Sequence, residues 1–272
     1  MCGIIGIASN KPVSINILNS LKKLEYRGYD SAGLATLDNN IINEKKCSGR
    51  VEELEKILFK TPANGNIGIG HVRWATHGIP NIVNAHPHST EQVSVVHNGI
   101  IENSDEIKKE LEAKGIKFKS QTDTEVVTLL ISEALNNNQP LESVFKTLKK
   151  LKGSFALGII FKNFSNIIIG ARRGSPLAVG YSKNENYIGS DSYALKSMTN
   201  KISYLDDGDV CVLSKDEVFY PLSVFLNQLI NNCVKVIWCC PGRHSHTASM
   251  KRHVTTLNPI GTQSPQSREV LS

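Results

Sequence analysis

The first ten residues, MCGIIGIASN, do most to restrict what this chain can fold into. Chain ends are commonly frayed and polar. Here Cys2 leads straight into an apolar run that reads as a strand covered on both faces. A central strand starting at residue 3 would hold residue 2 rigidly. That residue is a cysteine, whose thiolate is the reactive form. If Met1 is removed, as the small Cys2 side chain permits, the α-amine of Cys2 becomes a base with a pKa of about 7.7–8.0. It can take the proton from its own thiol, directly or through a water, and later return it to a leaving amine. One residue then supplies nucleophile and general base. Taken alone, Cys2 is more often a small buried hydrophobe, so the rest of the chain has to decide.

The apolar pattern beyond it falls into three blocks. Strand signals dominate at first: CGIIGIAS, then two β-prone runs around Asp38-Asn39-Asn40, a hairpin turn, then NIGIGHVRW and QVSVVHNGII. Two helices interrupt them. One starts at Ser14 as cap with Ile15, Leu18, Leu21 and Leu24 on one stripe; the other is VEELEKILF. RGYDSAG reads as a loop, and residues 75–90 as an irregular stretch rich in Gly, Pro, His and Asn. A helical block follows: SDEIKKELEAKG, with Ser104 as cap and Gly115 at its end, then DTEVVTLLISEAL and LESVFKTLKKL. Short strands return in GSFALGIIF, NIIIGARR, PLAVGYS and NYIGSDS, then a short helix SYALKSM, then ISYL and DVCVLS. Strands, helices and strands again predict an α+β fold of two sheets with helices packed outside, without regular βαβ alternation.

Bulk properties exclude several classes. With 272 residues and 40% hydrophobic content the chain can bury a core. No stretch approaches the roughly 18–20 apolar residues of a membrane span, and no basic segment precedes GIIGIA as in a signal peptide. Six irregularly spaced cysteines (Cys2, Cys47, Cys211, Cys233, Cys239, Cys240) form no disulfide framework, which fits a cytoplasmic location. The net charge of +6 is concentrated beyond position 221, where Lys235, Arg243, Lys251, Arg252 and Arg268 face Glu269 alone. The remainder is nearly balanced, so neither a nucleic-acid groove nor a membrane surface is expected.

MCGIIGI, LEYRGYDSAGLA, GHVRWATHG, NAHPH, VVHNGIIEN, QTDTEV, GSFAL and RRGSPLAVG follow one another in order. Together they resemble the glutaminase domain of the glutamine–fructose-6-phosphate aminotransferases, within the class II glutamine amidotransferases and the amino-terminal nucleophile enzymes. The resemblance covers about residues 2–215. It implies a four-layer α/β/β/α sandwich of two stacked antiparallel sheets with outer helices. It also implies attack of Cys2 on the side-chain amide of L-glutamine, giving ammonia and a thioester that water hydrolyses. Arg73 would grip the substrate carboxylate, with Thr76 and His77 adding hydrogen bonds. Asp123 would face the ammonium. The Asn98 amide and the Gly99 N–H would hold the tetrahedral oxyanion. Trp74 would cover bound glutamine, with Gly78 as hinge, and Arg27 would fix the loop near Cys2. No cofactor is implied.

Each residue has a blander alternative. Arg73 could be a surface ion-pair partner, Asp123 a helix cap, Asn98-Gly99 a type I′ turn and Trp74 a core side chain. His71, His86, His88 and His97 fit no zinc spacing, and neither do Cys239, Cys240, His244 and His246, so no metal is expected. GARRGSPLAVG lacks a phosphate-loop pattern and reads as strand–turn–strand beside the site. Residues 2–220 are expected to form the glutaminase domain. Residues 221–272 are expected to be a divergent or disordered tail, or the product of a shifted reading frame. The family's sugar-isomerase domains have no counterpart here, so a separate sugar-isomerase chain or a homodimer partner would be needed to use the ammonia. The alternatives are a non-catalytic relic of the domain and an amidotransferase serving another acceptor.

Overall fold

A computed structural model of the chain describes residues 2–75, 78–221 and the pair 255–256. Thr76, His77 and the expected tail, apart from that pair, lie outside the described residues. The strands are β1 Gly3–Ser9, β2 Ser31–Asp38, β3 Ile41–Ser48, β4 Ile67–Arg73, β5 His88–Ser89, β6 Val93–Ile101, β7 Gly153–Phe161, β8 Ile168–Arg173, β9 Ala178–Ser182, β10 Glu185–Gly189, β11 Lys201–Tyr204, β12 Val210–Leu213 and β13 Val218–Phe219. The helices are α1 Ser14–Leu24, α2 Val51–Lys60, α3 Ser104–Ala113, α4 Asp123–Leu135, α5 Pro140–Lys150 and the short α6 Ser192–Leu195.

All strand pairs are antiparallel and fall into two sheets. The first has the order β11-β9-β10-β1-β4-β2-β3, with Thr255–Thr256 paired outside β11; the second has the order β13-β12-β8-β7-β6-β5. Side chains alternate across a strand, and that alternation sorts the core into three layers. On β1, Ile5 and Ile7 face α1, where they meet Ile17, Leu18, Leu21 and Leu24. Ile4 and Ala8 face the opposite way and pack between the sheets with Ile67 and Ile69 of β4, Val96 of β6 and Ala156 and Ile160 of β7. On β6, Val93 and Val95 turn outward to α4 and α5, against Val127, Ile131, Val144 and Leu148. The result is the expected four-layer α/β/β/α sandwich, with β1 central in its sheet.

Local details differ from the sequence reading. Neither Ser14 nor Ser104 is a cap: each is the first helical residue, after Val13 and Asn103 respectively. Val13 already has helical φ/ψ, is buried, and its carbonyl accepts from Ile17 N–H, so the helix is anchored one residue early. The buried stripe of α1 uses Ile17, whereas Ile15 is exposed. The last three residues of RGYDSAG are strand, because Ser31 opens β2 and pairs with Ser48 and Arg73. GARRGSPLAVG is strand–turn–strand as read, but β8 and β9 belong to different sheets, so the segment crosses the sandwich. The Asp38-Asn39-Asn40 turn stands, with Asn39 and Asn40 both at positive φ.

Candidate active site

The strand alternation that layers the core also assembles the site. Residues 67, 69, 71 and 73 of β4 share a face, and Ile67 and Ile69 place that face between the sheets. Val96 does the same for Asn98 on β6, and Ile4 for Cys2 beyond the start of β1. Register completes the convergence, with Gly3 opposite Val72 and Ile4 opposite His71. Cys2, His71, Arg73 and Asn98 therefore meet at one end of the inter-sheet layer, drawn from both sheets.

The sulfur of Cys2 lies 3.3 Å from the backbone nitrogen of Trp74, which donates to it, and the thiol reaches the Trp74 carbonyl oxygen at 3.5 Å. The carbonyl oxygen of Cys2 accepts from Asn98 Nδ2 at 3.1 Å. Burial pushes the Cys2 thiol above its ordinary range; the Trp74 N–H, the positive chain terminus and Arg73 pull it down, and Asp30 pushes it up. Desolvation dominates, so the sulfur rests as a thiol and needs a base when it attacks.

The loop carrying Trp74 is seated on the chain that leads into β2. A Cβ on Gly28 would stand 2.7 Å from the backbone of Arg73 and 2.8 Å from Trp74 N, so only glycine lets the two segments touch. The Asp30 carboxylate accepts from Ala75 N–H, and Asp30 N–H donates to the Arg73 carbonyl. Arg27 Nη1 pairs with Asp191 Oδ2 at 2.9 Å, tying this loop to the start of α6, whose cap is Asp191. The Trp74 ring is half exposed and packs edge-on against Tyr29 at 5.7 Å, so it is no core side chain. Arg73 is buried, which removes the surface ion-pair alternative.

Asn98-Gly99 is not a turn. Both lie inside β6, paired with Ala156 and Phe155 of β7. Gly99 has φ +128°, and a Cβ there would meet Ser154 O at 2.0 Å, so the neighbouring strand demands glycine. Asp123 is the first residue of α4, and no side-chain bond caps that helix; Asp123 Oδ2 accepts from Ile101 N–H at 2.9 Å instead. Its carboxylate therefore sits beside the end of β6, with Oδ1 3.8 Å from His97 Nδ1.

Beneath these residues lies a group of buried histidines that the sequence left without a task. His71 and His86 stack at 4.2 Å, and His88 meets His86 edge-on at 5.0 Å. The Thr124 hydroxyl bonds His86 Nε2 and His97 Nδ1, and Thr122 bonds His88 Nε2. Burial pushes His71 and His88 down to about 3, and it lowers His86 and His97 as well. All four rings are neutral at pH 7. In the unfolded chain a histidine titrates near 6.5, so the unfolded state takes up protons first as pH falls. Stability is then full above about pH 6.5 and drops as pH falls toward about 3. Chemical denaturation is expected to give a lower unfolding free energy at pH 5.5 than at pH 7.5, by about 1.4 kcal/mol for each of His71 and His88. An unchanged value would contradict this assignment.

Among the described residues no helix is long and apolar enough to cross a membrane.

The family described as "Glutamine amidotransferase domain" matches residues 81–197. The chain is 52% identical over 217 residues to glutamine–fructose-6-phosphate aminotransferase [isomerizing] of Bradyrhizobium diazoefficiens, covering 79% of this chain and 36% of that protein. It is 49% identical over 219 residues to the protein of the same name from Zymomonas mobilis, covering 80% and 36%. The chain thus spans little more than a third of the length of these curated relatives. Among solved structures, the glutamine phosphoribosylpyrophosphate amidotransferase from B. subtilis superposes with a TM-score of 0.70 at 24% identity, covering 81% of this chain and 49% of that one. A glutamine aminotransferase class-II domain protein from Silicibacter pomeroyi gives 0.56 at 12% identity, covering 81% and 98%. These structural neighbours share the fold.

Proposed function

Because this chain carries a glutamine amidotransferase domain, one it shares with the glutamine–fructose-6-phosphate aminotransferases, we propose that it hydrolyses the side-chain amide of L-glutamine to glutamate and ammonia through a thioester on Cys2. The observation that carries this reading is the meeting of a nucleophile and an amide donor from opposite sheets, with Asn98 Nδ2 at 3.1 Å from the Cys2 carbonyl and the Trp74 N–H on the Cys2 sulfur.

With Met1 removed, the α-amine of Cys2 takes the thiol proton as the sulfur attacks the amide carbon. The carbonyl oxygen becomes an oxyanion. One Asn98 N–H already binds the Cys2 carbonyl; the second serves the oxyanion, together with the Gly99 N–H. Collapse of the intermediate breaks the C–N bond, and the proton held on the amine leaves with the nitrogen as ammonia. Water then attacks the thioester, with the amine again as base, and glutamate departs. Arg73, Thr76 and His77 hold the substrate carboxylate, Asp123 its ammonium, and Trp74 covers the site from its perch on Tyr29. Arg27 steadies the loop beneath.

The ammonia is destined for fructose 6-phosphate, to make glucosamine 6-phosphate, on a sugar-isomerase unit beyond the glutaminase domain or on a partner chain. Residues 2–220 form the catalytic unit, which works in the cytoplasm without a cofactor. The 272-residue chain is expected to release glutamate and ammonia in equal amounts from glutamine alone. Absence of both would make it the relic, and ammonia transfer to another acceptor would redirect its place in metabolism.

A further inference from the structure

We propose that His71 is a positioning residue that fixes the orientation of the oxyanion donor Asn98, an inference that rests on the glutaminase reading above. His71 is fully buried on the face of β4 that turns between the sheets, and its strand neighbours are Ile4 of β1 and Gly33 of β2. Its Nε2 lies 3.0 Å from the carbonyl oxygen of His97 and 3.0 Å from Asn98 Oδ1. A peptide carbonyl only accepts, so Nε2 carries the hydrogen, and that hydrogen is shared between the two oxygens. The tautomer follows from the neighbour. Nδ1 makes no hydrogen bond among the described residues, consistent with a ring that stays neutral.

The donor on Nε2 has a consequence for Asn98. A side-chain amide can be placed two ways, with oxygen and nitrogen exchanged. Here the Asn98 oxygen faces a donor, and its nitrogen faces the Cys2 carbonyl, which can only accept. Rotating the amide by half a turn would set Nδ2 against Nε2–H and Oδ1 against Cys2 O, losing both bonds. His71 therefore stabilises the one orientation that presents N–H toward the nucleophile. It does so from β4, whereas Asn98 rides on β6, so the bond also clamps the two sheets at the site. The stacking of His86 at 4.2 Å fixes the ring plane of His71. His71 touches neither the sulfur nor, in the proposed mechanism, the substrate; it acts through Asn98.

Four variants and three readouts test this. In His71→Leu, kcat for glutamine hydrolysis is expected to fall about a hundredfold, the scale of a lost oxyanion donor, with KM changed by less than about twofold, because Arg73 and Asp123 hold the ground state. His71→Gln, which returns an N–H at similar reach, is expected to recover most of the rate. Placing His71→Leu on Asn98→Ala should change kcat by less than about twofold, since the group it positions is gone. Alkylation of Cys2 by iodoacetamide forms no oxyanion and should proceed at the parental rate throughout. Equal loss from His71→Leu in both backgrounds would show that His71 merely supports the fold and overturn the proposal. If His71→Leu does not fold, His71→Asn, whose donor is too short to reach, takes its place. The Asn98 side-chain amide resonances, read by NMR, separate this inference from the glutaminase reading. Should the parental chain prove inactive, resonances that shift and exchange faster with solvent in His71→Leu still support the positioning role, and unchanged resonances overturn it.

Discussion

Exchanging Cys2 for alanine is expected to abolish glutamine hydrolysis, with a loss of about ten-thousand-fold or more, the scale on which removal of a nucleophile acts. The fold should survive. The Cys2 sulfur sits at the edge of the inter-sheet layer, beyond the buried run of β1, and the main-chain bond from Asn98 Nδ2 ends on the Cys2 carbonyl, which alanine keeps. Thermal unfolding of the variant should stay close to that of the parent. Glutamate release that persists in the alanine variant would mean that another group attacks the amide. The buried thiols of Cys47 and Cys211 are poor substitutes: Cys47 belongs to the core between sheet and helices, and Cys211 to the layer between the sheets.

The second large effect belongs to Asn98. In the proposed mechanism Asn98→Ala removes a donor aimed at charge that develops only in the transition state. It should therefore lower kcat by about 10²–10³-fold, near 3–4 kcal/mol, and leave KM for glutamine nearly unchanged. His71 keeps the His97 carbonyl as partner in that variant, so no buried donor is orphaned and the protein should fold. Stopped-flow measurement of thioester formation isolates the step. A variant that raises KM while keeping kcat would assign Asn98 to ground-state binding instead.

Much of this arrangement was legible in the sequence, for physical reasons that differ between residues. The two-sheet architecture followed from strand blocks around a helical block, because alternation and helical period are written directly in the apolar positions. Cap positions were less accessible. Ser14 and Ser104 look like caps by residue type, yet tertiary packing of Val13 shifts the helix start by one residue. Cys2 stood out by its place directly before a buried strand, whereas Arg73 was singled out only through the family resemblance. His71 carries an equally clear signal that went unused: it stands two residues before Arg73 on a strand, hence on the same face. Its partner lies on another sheet, and no local pattern reports that distance. Gly28 and Asp30 were quoted within RGYDSAG without a role, because what they support is the backbone of Arg73 and Trp74 some forty-five residues away. Gly99 shows the reverse. Its place beside the oxyanion was expected, but the demand for glycine comes from Ser154 on the adjacent strand.

The histidines illustrate how one residue type can mislead. His71, His86, His88 and His97, all within thirty positions, suggest a metal by count. In the fold one nitrogen of each ring is turned to a threonine hydroxyl or, for His71, to a carbonyl and an amide oxygen, and two of the rings stack face to face. They serve as neutral struts below the site, which links acid sensitivity of the fold to the geometry of Asn98.

The most direct test of the whole account is to treat the chain with an electrophilic glutamine analogue and locate the adduct by peptide mass spectrometry. The account predicts a single adduct on Cys2, in a peptide that lacks Met1, and protection by glutamine. An adduct on any other residue, or on a chain that still carries Met1, would contradict it.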